Sequence, residues 1–194
     1  MSFAETTVAG KTEQSFLTTE IEPTTEIVKI ARLDNCEFVE LSVRLNFKAR
    51  DGHAALSIFG GQKALICFES TDSIGTSCDI FNGTEVARTF STSFPHLRGG
   101  LGLYNGQPTT VGNQQELSTY GRTETLTSKG WSLLLNHPKA TDSHHLVGLE
   151  NGDMLMLGGI IRQSVKEEKD DTYLSDVWRL RNNIWSLDGF LNKV

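Results

Sequence analysis

The chain has 194 residues, 38% hydrophobic and 22% charged, with a formal net charge of −6. That length and apolar content suit a folded domain with a buried core and exclude a chain disordered throughout. The acidic balance excludes a nucleic-acid backbone binder, which needs a Lys/Arg stripe, and no apolar run is long enough for a membrane-spanning helix.

Residues 1–25 are rich in Thr and Glu and poor in apolar side chains, which reads as a mobile tail with strand character only around Phe16 and Leu17. The opening MSFAETTVAG has no basic stretch followed by an apolar one, so no secretory signal is read there and a cytoplasmic location is expected. Cys36, Cys67 and Cys78 are few and odd in number, so they are read as small buried thiols rather than a disulfide framework.

From residue 26 onward no apolar stripe of 3.6-residue period runs for three turns. Short β-branched or alternating runs follow one another instead: EIVKIARL, EFVELSVRL, ALSIF, KALICF, CDIF, TEVARTF, LGLY, TTV, TETL, WSLLL, HLVGL, DMLML, DVWRL and IWSLDGF. Between them lie Asn35-Cys36, Gly60-Gly61, Asn82-Gly83, Asn105-Gly106, Lys129-Gly130, Asn151-Gly152 and Asn182-Asn183. Asn and Gly accept the positive φ that two-residue hairpin turns require, so the chain is predicted to be all-β.

The turns also measure a period. Gly61, Gly106 and Gly152 are 45 and 46 residues apart; Cys36, Gly83, Gly130 and Asn183 are 47, 47 and 53 apart. The extra length in the last interval falls in the charged insert IIRQSVKEEKDDT. Two hairpin types alternating at a period near 46 predict a repeated four-stranded antiparallel sheet, the unit of a β-propeller. The reading divides the chain into a half blade at 26–42 and blades at 53–90, 98–136 and 144–190, a total of 3.5 to 4 blades.

The last of these, HHLVGLENGDMLMLGGI followed by YLSDVWRLRNNIWSLDGFL, resembles a kelch repeat. It carries the double glycine Gly158-Gly159, the aromatic Tyr173, the element Asp176-Val177-Trp178 and a second tryptophan, Trp185. Earlier repeats are degraded: Gly112-Asn113 and Cys67-Phe68 stand at the double glycine, and Trp131 and Val86 at the later aromatic. The resemblance implies a kelch-like propeller or partial propeller in which Gly158, Gly159, Tyr173, Trp131, Trp178 and Trp185 are structural. It also implies a scaffold role with protein partners.

Seven hairpins make an incomplete count of blades. The chain either recruits its N-terminal segment, pairs with a second copy as a homo-oligomer, or is part of something longer. The longer loops fall on one side of each sheet, where binding usually sits. Arg50, His53, Arg98, Tyr120, Arg122, His144 and Arg162 are the candidate contacts there for a protein or peptide partner. His144 and His145 point to opposite faces of a strand and cannot ligate one ion, and no Cys/His zinc spacing or GxSxG elbow is present, so neither a metal, a cofactor nor catalysis is expected. The sequence thus predicts a non-catalytic interaction module. Sugar-binding or enzymatic propellers and a block that self-assembles through open blade faces are the alternatives.

Overall fold

The computed structural model describes residues 16–17, 29–46, 52–68, 75–113, 121–161 and 171–192. Most of the N-terminal segment read as a tail lies outside them. Among the described residues every regular element is a strand, and no helix is long and apolar enough to cross a membrane. The chain divides into two compact units, 1–90 and 91–194.

In the first unit, β1 (Phe16–Leu17), β2 (Lys29–Asp34) and β3 (Glu37–Arg44) form an antiparallel sheet in the order β1-β2-β3. The strand character around Phe16 is thus realised: Phe16 pairs with Arg32 and Leu17 with Ala31. Asn35 and Cys36 both take positive φ, 49° and 65°, and turn β2 into β3. A second sheet is the meander β4 (Ala54–Ile58), β5 (Lys63–Cys67), β6 (Cys78–Phe81) and β7 (Val86–Arg88). Ile30, Leu45, Ala64, Ile66 and Phe81 form the core of this unit. The inner strand β5 is buried from Ala64 to Cys67, as its nearly continuous apolar run requires, whereas the three-residue β7 at the sheet edge is largely exposed.

The cysteine reading needs correction. Cys67 and Cys78 are joined in a disulfide with their Cα atoms 4.1 Å apart, and Cys36 is exposed rather than buried. The two bonded residues are directly opposed partners on β5 and β6, so their side chains leave the same face of the sheet within reach of each other.

The second unit contains two meanders. One is β8 (Gly100–Tyr104), β9 (Gln107–Val111), β10 (Thr123–Thr127) and β11 (Gly130–Leu133). The other begins with β12 (His145–Gly148) and β13 (Met154–Leu157), is interrupted by a ribbon of β14 (Ile160–Ile161) and β15 (Thr172–Tyr173), and ends with β16 (Asp176–Arg181) and β17 (Ile184–Phe190). The base of the charged insert is therefore paired strand, not loop, with Ile160 opposite Tyr173.

Two glycines explain how the meanders meet. A Cβ on Gly100 would lie 2.7 Å from Leu146 Cγ, and one on Gly102 would lie 2.7 Å from Leu146 Cβ. Only the absence of side chains on this face of β8 lets β12 come so close. Tyr104, Val111, Met154, Met156, Leu180 and Trp185 fill the space beyond, with Leu134, Leu146 and Trp178 packed against them. Met154 and Met156 are fully buried while Leu155 and Leu157 are half-buried, the alternation of a strand with one face in the core.

The disulfide spans only eleven residues of sequence. Removing it with Cys67→Ala/Cys78→Ala should lower the unfolding free energy by about 2–4 kcal/mol in urea titrations, because the open chain regains loop freedom when unfolded.

Candidate functional site

Within residues 91–194 the tight turns gather at one end of the sheets. Tyr104 Oη donates to Asn183 Oδ1 at 3.1 Å and accepts from the Asn183 amide at 2.8 Å, and the Asn105 amide donates to the Gly152 carbonyl at 2.8 Å. Charges at this end satisfy one another. Asp153 accepts from Arg181, Arg179 and Asn151, and the Arg181 hydrogen bond above all holds its carboxyl down at about 2. Arg179 also grips Asp188 with two bonds, at 2.9 and 2.8 Å.

The opposite end collects the longer connections, and backbone bonds sew these together. The Ser143 amide donates to the Arg98 carbonyl at 2.8 Å, Gly112 to Arg122 at 3.2 Å, His137 to Gly121 at 2.8 Å, and Gly158 to Asp176 at 2.9 Å. Asp142 and Ile160 exchange bonds at 3.1 and 2.8 Å. This loop end is a held surface.

Three polar groups build it. In the first, His96 and Glu124 are both fully buried. His96 Nδ1–H donates to the Gly112 carbonyl at 2.8 Å, and Nε2 lies at hydrogen-bond distance, 2.9 Å, from Glu124 Oε2. The amides of Ser93 and Phe94 also donate to the Glu124 carboxylate, at 2.9 and 3.1 Å. Burial alone would raise the Glu124 pKa; the bonds from His96, Ser93 and Phe94 outweigh it and leave the carboxyl below its ordinary value. The pair resembles an acid–base couple in composition, but neither side chain reaches solvent. It straps residues 93–96 onto β10.

In the second, the Arg122 guanidinium lies over the Phe94 ring, 4.6 Å from its centroid. Its buried Nε has no hydrogen-bond partner among the described residues. In the third, the Lys139 ammonium pairs with Asp176 and lies 5.9 Å from the centre of the Trp178 ring. Trp178 Nε1 donates to the same Asp176 oxygen at 3.2 Å, and the Lys139 bond is the main cause that lowers the Asp176 pKa. Beneath them His137 sits edge-on between Trp178 and Trp185, at 5.0 and 4.9 Å between ring centres. His137 Nδ1 faces the backbone of Lys139, and burial pushes its imidazole down to about 4.

The structure places the expected residues unevenly. Arg98 and Arg122 are half-buried at the loop end, where the sequence put them. His144 is in the right loop but faces inward, with 5% of its surface exposed, and cannot touch a partner. Its Nε2 accepts from the Gly100 amide at 3.3 Å, and burial, reinforced by His137 and His145, holds its imidazole at about 3. The ring occupies a socket left by two glycines: a Cβ on Gly112 would lie 2.6 Å from His144 Cε1, and one on Gly159 would lie 3.0 Å from His144 Cβ. Gly112 and Gly159 thus make room for a histidine. In the first unit His53 is half-buried just ahead of β4. Arg50, Tyr120 and Arg162 lie outside the described residues.

Trp185 is buried, and its Nε1 donates to the Leu135 carbonyl at 3.2 Å; Trp178 and Trp131 are half-buried, the latter opposite Leu126. Tyr173 is 77% exposed on the two-stranded ribbon, which corrects its expected packing role: among the described residues no facing sheet covers it. Sequence reasoning gave no role to His96, Glu124 or Lys139. Their partners lie 28 to 37 residues away, beyond any local spacing rule. Among the described residues no group of three or more His, Cys, Asp or Glu side chains converges as a metal site would require.

No protein-family model matches the chain, and no curated protein matches it. Solved structures do. One of them, of a protein called YjhT, superposes with a TM-score of 0.76 over 97% of this chain and 70% of that one, at 11% sequence identity. At that identity the likeness is one of fold alone.

Two of the buried histidines, His137 and His144, make stability depend on pH. In the unfolded chain they titrate near the ordinary value of 6.5, whereas folded His137 and His144 resist protonation down to about 4 and about 3. Between these values the unfolded chain binds protons that the folded chain does not. Stability is therefore full above pH 6.5 and falls as pH drops, by up to about 1.4 kcal/mol per pH unit for each histidine. Urea unfolding at pH 7, 6 and 5 should show this slope, and His137→Gln/His144→Gln should flatten it.

Proposed function

We propose that the chain is a non-catalytic protein-interaction module whose four-stranded sheets are kelch-like, propeller-type blades. In this reading the loop end of residues 91–194 is the presenting surface for a protein or peptide partner. The observation that carries it is the contrast between the two ends of that unit. At the turn end, Arg179 and Arg181 are neutralised by Asp153 and Asp188. At the loop end, Arg122 rests on an aromatic ring, and backbone bonds hold the loops around it.

A guanidinium stacked on a ring loses little freedom when it binds, and Arg and aromatic side chains dominate interface energetics. Lys139, although paired with Asp176, lies beside Trp178 and adds a second cation–aromatic contact at the same end. The enclosure of His96 and Glu124 favours a non-catalytic role, since an acid–base pair must reach its substrate.

The cytoplasmic location expected from the sequence gives way in this proposal. The Cys67–Cys78 disulfide supports an oxidising compartment, where such bonds form and persist.

Photo-crosslinking amino acids placed at Arg98, Arg122 and Lys139 should capture one partner protein in common. The same probes at Asn105, Lys129 and Glu150, on the turn end, should not. Equal capture from both ends would overturn the assignment.

Self-association is a second reading, favoured by the edge strand β17. Ile184 and Phe190 are 61% and 65% exposed there, on a strand with an unpaired side in this sheet. Light scattering decides it: a monodisperse monomer across concentration sinks the idea.

A further inference from the structure

We propose that Asn82 is the acceptor of an N-linked oligosaccharide. Asn82-Gly83-Thr84 is the chain's one Asn-X-Ser/Thr tripeptide with X other than proline. Turn chemistry alone explains Asn-Gly but asks nothing of residue 84. The structure adds three observations.

The tripeptide is exposed throughout, at the tip of the β6–β7 hairpin. An Asx turn orients the acceptor side chain. Asn82 Oδ1 accepts from the Thr84 amide at 3.0 Å, from the Thr84 hydroxyl at 3.1 Å and from the Glu85 amide at 2.8 Å. These three bonds engage Oδ1 and leave Nδ2, the atom that would carry the sugar, out of the turn's own hydrogen bonding. The Thr84 hydroxyl is thereby held against the amide it must assist.

The third observation concerns compartment. The same strand that leads into the turn carries Cys78, bonded to Cys67. A structural disulfide places the sheet in the oxidising environment where N-glycosylation also occurs. The tripeptide and the disulfide are independent features, and both fit one compartment.

The transfer balances without an oxidant or reductant. The donor is an oligosaccharide linked to a lipid pyrophosphate. A bond forms between Asn82 Nδ2 and the sugar anomeric carbon, and the bond from that carbon to the pyrophosphate oxygen breaks. The pyrophosphate departs with the electron pair, and the amide loses one proton. The product has a physical use: a glycan at this turn stands beside β7, the short edge strand of its sheet, and obstructs strand addition there.

This inference rests on the turn and the disulfide and is independent of the binding reading. To test it, the full chain is directed into the secretory pathway of a glycosylating eukaryotic cell and all of it, retained or secreted, is analysed by mass spectrometry. The expected result is one glycan that an amide-cleaving glycosidase removes, converting Asn82 to Asp in its peptide. Asn82→Gln and Thr84→Ala should abolish it, and Thr84→Ser should retain it, which separates loss of the acceptor from loss of the fold. An unmodified Asn82 in wild-type chain that carries the Cys67–Cys78 bond overturns the proposal. A glycan that persists in Asn82→Gln overturns it as well.

Discussion

The close approach of β8 to β12 governs the second half of the molecule. Gly100 and Gly102 leave the facing side of β8 bare, so Leu146 rests on backbone rather than on side chains. A strand of ordinary residues would hold the two sheets further apart. The core would then lose the contact that lets Tyr104 and Val111 meet Met154, Met156 and Leu180. Dispersion falls steeply with distance, so a gap here would not be a small loss. The same approach brings the starts of β8 and β12 together, and the His144 ring bonds the Gly100 amide across that junction. The loop end inherits its geometry from two missing side chains.

That geometry encloses polar groups where apolar ones would fold more cheaply. Glu124 and His96 have no exposed surface, and bonds to the loop backbone and to each other hold them. Leaving any one partner unmade would cost about 1–3 kcal/mol, so the network accepts very few arrangements of residues 93–96 and 112. Specificity of loop position is what the buried charge contributes. His137 plays a related part from below, wedging Trp178 against Trp185 and so fixing the ring beside which Lys139 lies.

How much of this was legible in the sequence depends on how local each feature is. The turns were readable because Asn and Gly mark positive φ: Asn35, Asn105, Gly106, Asn182 and Asn183 all adopt it. Strand existence followed from them, and the four-stranded sheets from their period. The disulfide was not readable, since an odd cysteine count says nothing of register and only the pairing of β5 with β6 opposes Cys67 to Cys78. His144 was placed in the correct loop but aimed the wrong way. Its inward turn depends on the space left by Gly112 and Gly159, one of them 32 residues earlier by the chain numbering, and no single-strand pattern carries that information. The Glu124 strap was invisible for the same reason.

The ribbon of β14 and β15 has a consequence for how the chain can change over time. Ile160 and Tyr173 are paired across its base, and Asp142 bonds Ile160 from the other side. These pairings fix both ends of the insert beside the sheet that carries Trp178. Segments inserted or deleted between Ile161 and Thr172 would alter closure entropy by only about 0.6 kcal/mol per doubling of length. The clamp makes this a place where sequence can be exchanged while the neighbouring surface keeps its shape, a natural graft point in residues 91–194.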